Sequence, residues 1–180
     1  MIVEAFQTLE DLDNIDHIET EGPFECKRSG AWLGIGYYFW DTNIDWAIAW
    51  GVNAYEKFNR EYVIARCKIN LANNCFDLVG NVSHQLDLIE VIEVMIKSNK
   101  IKNLSDAIVP NVILFMISKG LFSYKSIRAA DMHNNIVKLQ FKKDKKEYMT
   151  INQRVQICVI EKKDVLLRPF TVIYPEKYVY

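Results

Sequence analysis

Residues 32–50 read WLGIGYYFWDTNIDWAIAW, and this segment decides how the rest of the chain is interpreted. Gly34 and Gly36 stand two positions apart, which lets the backbone bend and approach a ligand closely. The aromatic run after them is typical of a strand that is entered from a turn. Thr42 and Asp45, three residues apart, then predict the start of a helix. The segment therefore predicts a glycine-bent strand followed by a helix.

Two aromatic residues of this unit are expected to come close together. Tyr38 lies on the strand, and the helix brings Trp50 back toward it. A gap between two flat aromatic faces suits a flat, polar ring such as nicotinamide, because offset stacking contributes roughly 0.5–1.5 kcal/mol beyond simple burial. Ordinary core packing is the alternative, and periodicity alone favours it.

Bulk composition predicts one domain over residues 1–180, since 180 residues of which 50% are hydrophobic support one sizeable core. The net charge of -1 gives no general surplus of cations, so nucleic-acid binding would require a local basic patch. The four cysteines and three histidines lack zinc-ligand spacing, and no metal is expected. The absence of a leader-like start and of a long apolar run predicts a cytoplasmic chain with free thiols and no membrane contact.

The order of the predicted elements, with helices early and strands late, indicates an α+β fold with a mixed or largely antiparallel sheet. Helices are expected to start at Thr8, Thr42, Ser83 and Ser105, and Pro110 should kink or delay the last one. The core face of the third helix is expected to carry Leu86, Ile89, Ile92 and Ile96.

Predicted strands are short and concentrated in the last third of the chain. They cover residues 2–8, 62–71, 126–130, 136–141, 155–160, 165–168 and 171–174. Residues 142–146 read as a charged hairpin tip.

Residues 34–39, Gly-Ile-Gly-Tyr-Tyr-Phe, with Ala47 downstream, resemble the glycine-x-glycine-x-tyrosine-phenylalanine signature of the diphtheria-toxin and poly(ADP-ribose) polymerase branch of ADP-ribosyltransferases. Residues 32–40 followed by 47–50 are more closely similar to small bacterial toxins of anti-phage toxin–antitoxin–chaperone systems. Residues 126–129 and 155–159 are similar to two further strands of that group.

This resemblance implies a single-domain ADP-ribosyltransferase-like fold, with a split mixed or antiparallel sheet flanked by helices. It further implies a toxin that uses NAD as its substrate, without a metal. The acceptor of ADP-ribose would be a cellular macromolecule, with RNA as the first expectation and protein as the second. An antitoxin and a chaperone are the partners that the resemblance suggests.

The same resemblance assigns site residues. Gln156, Tyr38 and Arg128 are the expected catalytic residues, with Arg128 holding a pyrophosphate or an RNA phosphate. The expected NAD-binding residues are Gln7, Thr8, Gly34, Gly36, Tyr38 and Trp50.

The chain departs from the family pattern at two of these places. Gln156 stands where the family usually has a glutamate that bonds the ribose, and an amide cannot act as a general base. Glu147 and Glu161 are candidates for that base. Phe6-Gln7-Thr8 stands where the family often has His-Gly-Thr, which leaves the backbone of Gln7 to pair with the nicotinamide amide.

Three alternatives therefore stay open at this point. The chain is an active transferase, a catalytically inactive NAD-binding module of the same fold, or an interaction protein in which Trp32, Trp40 and Trp50 form an interface. Residues 27–29 either cover the cofactor or form a solvated loop.

Overall fold

The computed structural model describes residues 1–72, 74–134 and 136–179. Its α-helices are α1 (Ile15–Glu21), α2 (Ile44–Ala54), α3 (Val82–Lys97) and α4 (Val109–Ser118). Its strands are β1 (Ile2–Glu10), β2 (Tyr37–Asp41), β3 (Tyr62–Asn70), β4 (Cys75–Asp77), β5 (Ser126–Asp131), β6 (Val137–Gln140), β7 (Tyr148–Ile151), β8 (Arg154–Val159) and β9 (Leu166–Tyr174).

Seven of the strands form one sheet in the order β4-β5-β8-β2-β1-β3-β9. The pairing of β4 with β5 is parallel, and the other pairings of this sheet are antiparallel. Strands β6 and β7 form a separate two-stranded hairpin. The predicted α+β class with a mixed, largely antiparallel sheet is confirmed.

The sheet is continuous, but its two halves are joined weakly between β1 and β2. Only Ala5↔Asp41 and Phe6↔Trp40 are paired there, whereas β1 and β3 are paired along nine positions. Beyond Phe6, the two strands diverge. The divergence opens the sheet near its centre without dividing it into two sheets, so the expected split is only partial.

The two faces of the sheet pack differently. On one face, Ala5, Phe39 and Ile157 belong to a core that includes Ile18 of α1 and Phe170 of β9. The opposite face carries α2 over one half, through contacts such as Phe6 and Trp40 with Ala47. Its other half packs on α3 and α4 through Ile127 and Cys158, against Val91, Met95 and Val112.

Several predicted helix starts are displaced. Thr8 does not cap a helix, because β1 continues to Glu10 and α1 begins at Ile15. Asn43 caps α2 by accepting from the Asp45 N–H, and Asn81 caps α3. In each case the true start follows an asparagine or a turn rather than the predicted hydroxyl residue.

The fourth helix starts four residues after the predicted Ser105, and a delayed start was one of the two outcomes expected from Pro110. It begins at Val109, with Pro110 in its first turn, where the missing N–H costs nothing. Ser105 lies in a separate short 3₁₀ turn and does not cap this helix.

The predicted core face of α3 is rotated from the real one. Val91 and Met95 are buried, whereas Leu86 and Ile89 are 54% and 51% exposed. The apolar residues of α3 nearly surround the helix, so the sequence spacing does not distinguish the face that the sheet covers.

The strand predictions missed β4 and β7 and divided β9 in two. Residues 165–168 and 171–174 belong to one strand that continues through Pro169. A proline is tolerated there because β9 lies at the sheet edge. Residues 142–146 do form the tip between β6 and β7. No helix within the described ranges is long and apolar enough to span a membrane.

Candidate functional site

A cavity of about 630 Å³ opens where β1 and β2 diverge. Gln7 and Thr8 of β1, Tyr38 of β2, Trp50 of α2 and Gln156 of β8 all contribute to its lining. Five of the predicted site residues therefore meet in one open cavity, although they come from four separate elements.

The side chain of Gln7 joins the two diverging strands. Its Nε2 donates to the carbonyls of Phe24, at 2.9 Å, and Tyr38, at 3.3 Å, while its Oε1 accepts from the Phe24 N–H at 3.0 Å. Gln7 is only 5% exposed, so these bonds satisfy a buried amide. The glutamine thus connects β1 to β2 and to residue 24 at the edge of the cavity.

The strand register assigns the backbone of Gln7 to β3 rather than to the cavity. Asp11 donates to the Glu61 carbonyl and Leu71 to the Met1 carbonyl, so the odd-numbered residues of β1 bond to β3. Backbone groups alternate sides along a strand, and Gln7 is paired with Ala65. The expectation that the Gln7 backbone pairs with nicotinamide is therefore corrected.

Thr8 is the neighbouring residue of β1 whose backbone faces the gap. As an even-numbered residue of β1 it directs its backbone N–H and C=O toward β2, where the ladder has already ended at Phe6↔Trp40. Its hydroxyl donates to the Ala47 carbonyl of α2 at 2.9 Å. Thr8 thus anchors α2 with its side chain and presents peptide groups to the gap.

Tyr38 is held in a fixed orientation by the loop before it. Its hydroxyl accepts from the Leu33 N–H at 2.8 Å and donates to the Gly34 carbonyl at 2.7 Å. Burial raises the pKa of this hydroxyl, so it stays protonated. Because both hydrogen bonds are internal, Tyr38 contributes its ring to the cavity rather than a reactive oxygen.

Tyr38 and Trp50, which were expected to border a gap, both line the cavity and make no direct ring contact with each other among the described residues. Trp50 packs instead on Trp40, with ring centroids 6.3 Å apart, and Trp40 meets Trp32 edge to face at 6.5 Å. Trp50 remains 38% exposed. The two predicted rings border the same cavity, and a row of three tryptophans forms the rest of that wall.

Gly34 and Gly36 shape the backbone around the cavity and do not line it. Gly34 has a φ of +94°, a conformation that side chains strongly disfavour. A Cβ on Gly36 would lie 2.6 Å from the Cys158 sulfur and 2.7 Å from the Val159 carbonyl oxygen. Gly36 is therefore required where β2 packs on β8, and Gly34 where the turn needs a positive φ, while their expected NAD-binding role stays a prediction.

Gln156 lies on the face of the sheet that carries α2, α3 and α4. Its cross-strand neighbours are Trp40 on β2 and Ala129 on β5. Neither predicted base lines the cavity. Glu161 pairs with Lys125 at 2.9 Å, and Glu147 lies on the exposed hairpin. The carboxylate that lines the cavity is Glu25, which pairs with Lys27 at 3.3 Å.

Arg128 lies on the opposite face of the sheet, since its cross-strand partner is Ile157 rather than Gln156. Its Nε contacts Asp41 at 2.6 Å and its Nη1 contacts Asp77 at 3.3 Å. Asp41 is 7% exposed, so this cation neutralises a buried carboxylate. Arg128 is thus held by two carboxylates outside the cavity lining, and its expected phosphate-binding role stays a prediction.

Residues 24–28 form a segment that lines the cavity, which local sequence patterns indicated only weakly. Cys26 and Gly36 exchange two backbone hydrogen bonds, which ties this segment to the start of β2. Lys27 and Arg28 line the cavity and provide its positive charge. Of the two interpretations of residues 27–29, a covering segment is the one that this geometry favours.

The three buried cysteines of the sheet, Cys67, Cys75 and Cys158, are poor nucleophiles near neutral pH. Burial raises the pKa of Cys67 and of Cys158 to about 12 and that of Cys75 to about 11. No cluster of three or more potential metal ligands occurs in the described part of the chain.

None of the family models, curated proteins or solved structures with which the chain was compared matches it.

Proposed function

We propose that this chain is an NAD-dependent ADP-ribosyltransferase that modifies a cellular macromolecule and acts as a toxin, with phage defence as its setting. The observation that carries the proposal is the cavity between β1 and β2, in which Thr8, Tyr38, Trp50 and Gln156 converge. All four are residues that the sequence resemblance assigns to the site.

The chemistry of the cavity matches the two ends of a dinucleotide. The unpaired peptide groups at Thr8 suit a carboxamide, which needs one donor and one acceptor side by side. The Tyr38 ring and the tryptophan row suit flat heteroaromatic rings. Lys27 and Arg28 on the covering segment suit the pyrophosphate.

In the proposed reaction, the bond between C1′ of the ribose and the nicotinamide nitrogen breaks. Nicotinamide leaves with the bonding electron pair as a neutral molecule, and the sugar becomes oxocarbenium-like. The Gln156 amide oxygen can bond the ribose hydroxyl and hold the sugar for attack. An acceptor that is already nucleophilic then needs no carboxylate base.

The test is NAD consumption by the purified chain in the presence of total RNA or of cell lysate. Release of nicotinamide is expected, and Tyr38→Ala and Gln156→Ala should abolish it. Tyr37→Phe is the matched control, because Tyr37 lies on the other face and packs on the opposite core. Absence of turnover with every acceptor pool, in a folded chain, contradicts the proposal.

A cellular readout accompanies this assay. Expression of the chain should arrest growth, and either site variant should relieve the arrest at equal protein level. Growth arrest that persists in both variants would show that the toxicity does not depend on the cavity.

A second candidate is an NAD-binding module without catalysis. The amide at Gln156 favours it, because an amide cannot act as a general base. Calorimetry distinguishes the two, since this module binds NAD without releasing nicotinamide under any condition.

A further inference from the structure

The β6–β7 hairpin stands apart from the main sheet and has one apolar face. Two cross-strand pairs bring four apolar side chains to the same side of the ribbon, because side chains alternate along paired strands. The pairs are Val137 with Ile151 and Leu139 with Met149. These four residues are between 38% and 48% exposed, and Phe141, at the next alternate position, is 69% exposed. An isolated two-stranded ribbon is marginally stable in water, so this face is expected to pack on another surface.

The tip of the same hairpin is basic. Its exposed lysines are Lys142, Lys143, Lys145 and Lys146, with Asp144 among them. The lysine ion pairs in the described part of the chain involve other lysines than these four. The hairpin therefore combines an uncovered apolar face with uncompensated positive charge at its tip.

A second uncovered apolar surface lies on the outer side of α3. Val82, Leu86 and Ile89 follow one another at helical spacing, and each of them is more than half exposed. The buried residues of this helix, Val91 and Met95, lie on its other side. The outer surface of α3 is therefore apolar, although nothing within the described ranges covers it.

The border of this helix surface is acidic. Glu90 and Glu93 stand four residues after Leu86 and Ile89, which places each glutamate beside an apolar residue on the helix surface. Glu93 pairs with Lys97 at 3.4 Å in an exposed contact. Within the described chain, Glu90 has no ion-pair partner, and the same holds for the exposed Asp87. The negative charge of this border is therefore largely uncompensated.

Both surfaces arise at the same end of the sheet. Strands β4 and β5 are parallel neighbours, with Asp77 paired to Arg128. Helix α3 follows β4 along the chain, and the β6–β7 hairpin follows β5. The first turn of α3 and the base of the hairpin therefore lie at the same end of the sheet, where one partner can contact both.

We propose that the hairpin of one copy of this chain packs on α3 of a second copy, and the reverse, in a twofold-symmetric dimer. The apolar face of the hairpin then covers the apolar stripe of α3, and the lysines of the tip meet the acidic border. A twofold axis forms this contact twice, which doubles the surface that is buried. The inference goes beyond the proposed function and does not depend on it.

The chemistry of the hairpin favours a protein surface over nucleic acid. Four of the five apolar side chains on its face are aliphatic, whereas binding of unpaired bases relies on aromatic faces. The tyrosine of the hairpin, Tyr148, pairs with Gln140 on the other face, and the Lys138 ammonium lies 4.9 Å from its ring centre. A surface of matching apolarity and opposite charge is present on α3, so a second copy supplies the partner.

The test is the mass of the whole chain by sedimentation equilibrium. The wild-type chain is expected at twice its mass of 21.0 kDa. Leu139→Ser/Met149→Ser removes the hairpin face, and Leu86→Ser/Ile89→Ser removes the helix face. Each variant should weaken dimerisation by about a hundredfold, because every substitution occurs twice in the dimer. All four positions are exposed, so the fold should be retained, and urea denaturation checks this.

Leu12→Ser is the matched control. Leu12 is 66% exposed and follows β1. Strand β1 runs opposite to β5 through three successive antiparallel pairings, so its end lies at the other end of the sheet. The dimer affinity of this variant should stay within about twofold of wild type.

A mixing experiment tests the reciprocal arrangement. The hairpin variant keeps an intact α3 surface, and the helix variant keeps an intact hairpin, so one of the two contacts can form between them. A mixed dimer is expected at concentrations where each variant alone is monomeric. Two variants that stay monomeric when mixed would contradict reciprocal packing.

Charge reversal tests the polar border. Lys142→Glu/Lys143→Glu and Asp87→Lys/Glu90→Lys should each weaken the dimer by about tenfold at low salt, because like charges then face each other in both contacts. The chain that combines all four substitutions should recover most of the lost affinity. A combined variant as weak as the separate ones would show that these groups do not meet.

Two further results would overturn the dimer: a monomeric wild-type chain, or a dimer that is unchanged in both serine variants. Binding of a monomeric wild-type chain to phosphatidylglycerol vesicles, lost in the hairpin variant, would assign the hairpin to a lipid surface instead. Failure of the proposed function is distinguishable, because it appears as absent NAD binding and turnover at an unchanged dimer mass.

Discussion

Trp40 on β2 and Gln156 on β8 face each other across neighbouring strands, on the side of the sheet that carries α2, α3 and α4. This pairing places an amide beside the aromatic wall of the cavity. The same register turns Arg128 to the other side. The alternation of side chains along the paired strands therefore decides that Gln156 faces the cavity and that Arg128 does not.

Replacing Gln7 with alanine should destabilise the fold and widen the gap between β1 and β2. The variant leaves the backbone groups of Phe24 and the Tyr38 carbonyl without their partner, which should lower the free energy of unfolding by about 2 kcal/mol. Urea denaturation measures this. Gln140→Ala on the exposed hairpin should change stability by less than about 0.5 kcal/mol, and equal losses would contradict the bridging role of Gln7.

Arg128→Gln should be strongly destabilising, by about 3–5 kcal/mol, since it leaves the buried Asp41 carboxylate without its cation. The double variant Asp41→Asn/Arg128→Gln should recover part of this loss, as measured by a double-mutant cycle in urea. If Arg128 instead bound NAD phosphates, the single variant would lose NAD affinity in the folded fraction.

Thiol reactivity should distinguish Cys26 from the other cysteines. Cys26 is half-buried on the covering segment, whereas Cys67, Cys75 and Cys158 are buried with raised pKa values. Because the thiolate is the reactive form, iodoacetamide at pH 8 should modify one cysteine in the native chain and four in urea. Rapid native labelling at Cys158 would contradict the packing of β2 on β8.

Stability should fall at alkaline pH. Burial raises the pKa of Cys75 from 9.0 to about 11 and that of Cys67 to about 12, so the folded chain retains protons that the unfolded chain releases. This contribution is complete below pH 9 and is lost as the pH rises through the folded values. Urea midpoints between pH 8 and pH 11 should therefore decline, less steeply for Cys75→Ala, and a flat profile would argue against buried thiols.

The sequence was sufficient to predict the α+β class, a strand entered from a turn within residues 32–40 and the helix after it, because local patterns of glycine, aromatic and capping residues specify them. It also selected Thr8, Tyr38, Trp50 and Gln156, which lie together in the structure. Register was not predictable from local patterns. The face on which Arg128 lies, and the direction of the Gln7 and Thr8 backbone groups, depend on which strands pair and on their alignment.

The covering segment and the cross-strand neighbours of Gln156 were also beyond local patterns. Cys26 reaches the site through a bridge to Gly36, and Ala129 meets Gln156 through the pairing of β5 with β8. Both contacts join residues that are distant along the chain and have no sequence signature.

The most direct measurement is calorimetric titration of the folded chain with NAD, compared between wild type, Trp50→Ala and Phe58→Ala. Phe58 is an exposed aromatic residue outside the cavity lining, 66% exposed, and serves as the control. One NAD site per chain is predicted, weakened by about three- to tenfold in Trp50→Ala through the loss of aromatic contact and unchanged in Phe58→Ala. No detectable binding to the wild-type chain, or equal affinity in the Trp50 variant, would contradict the assignment of the cavity.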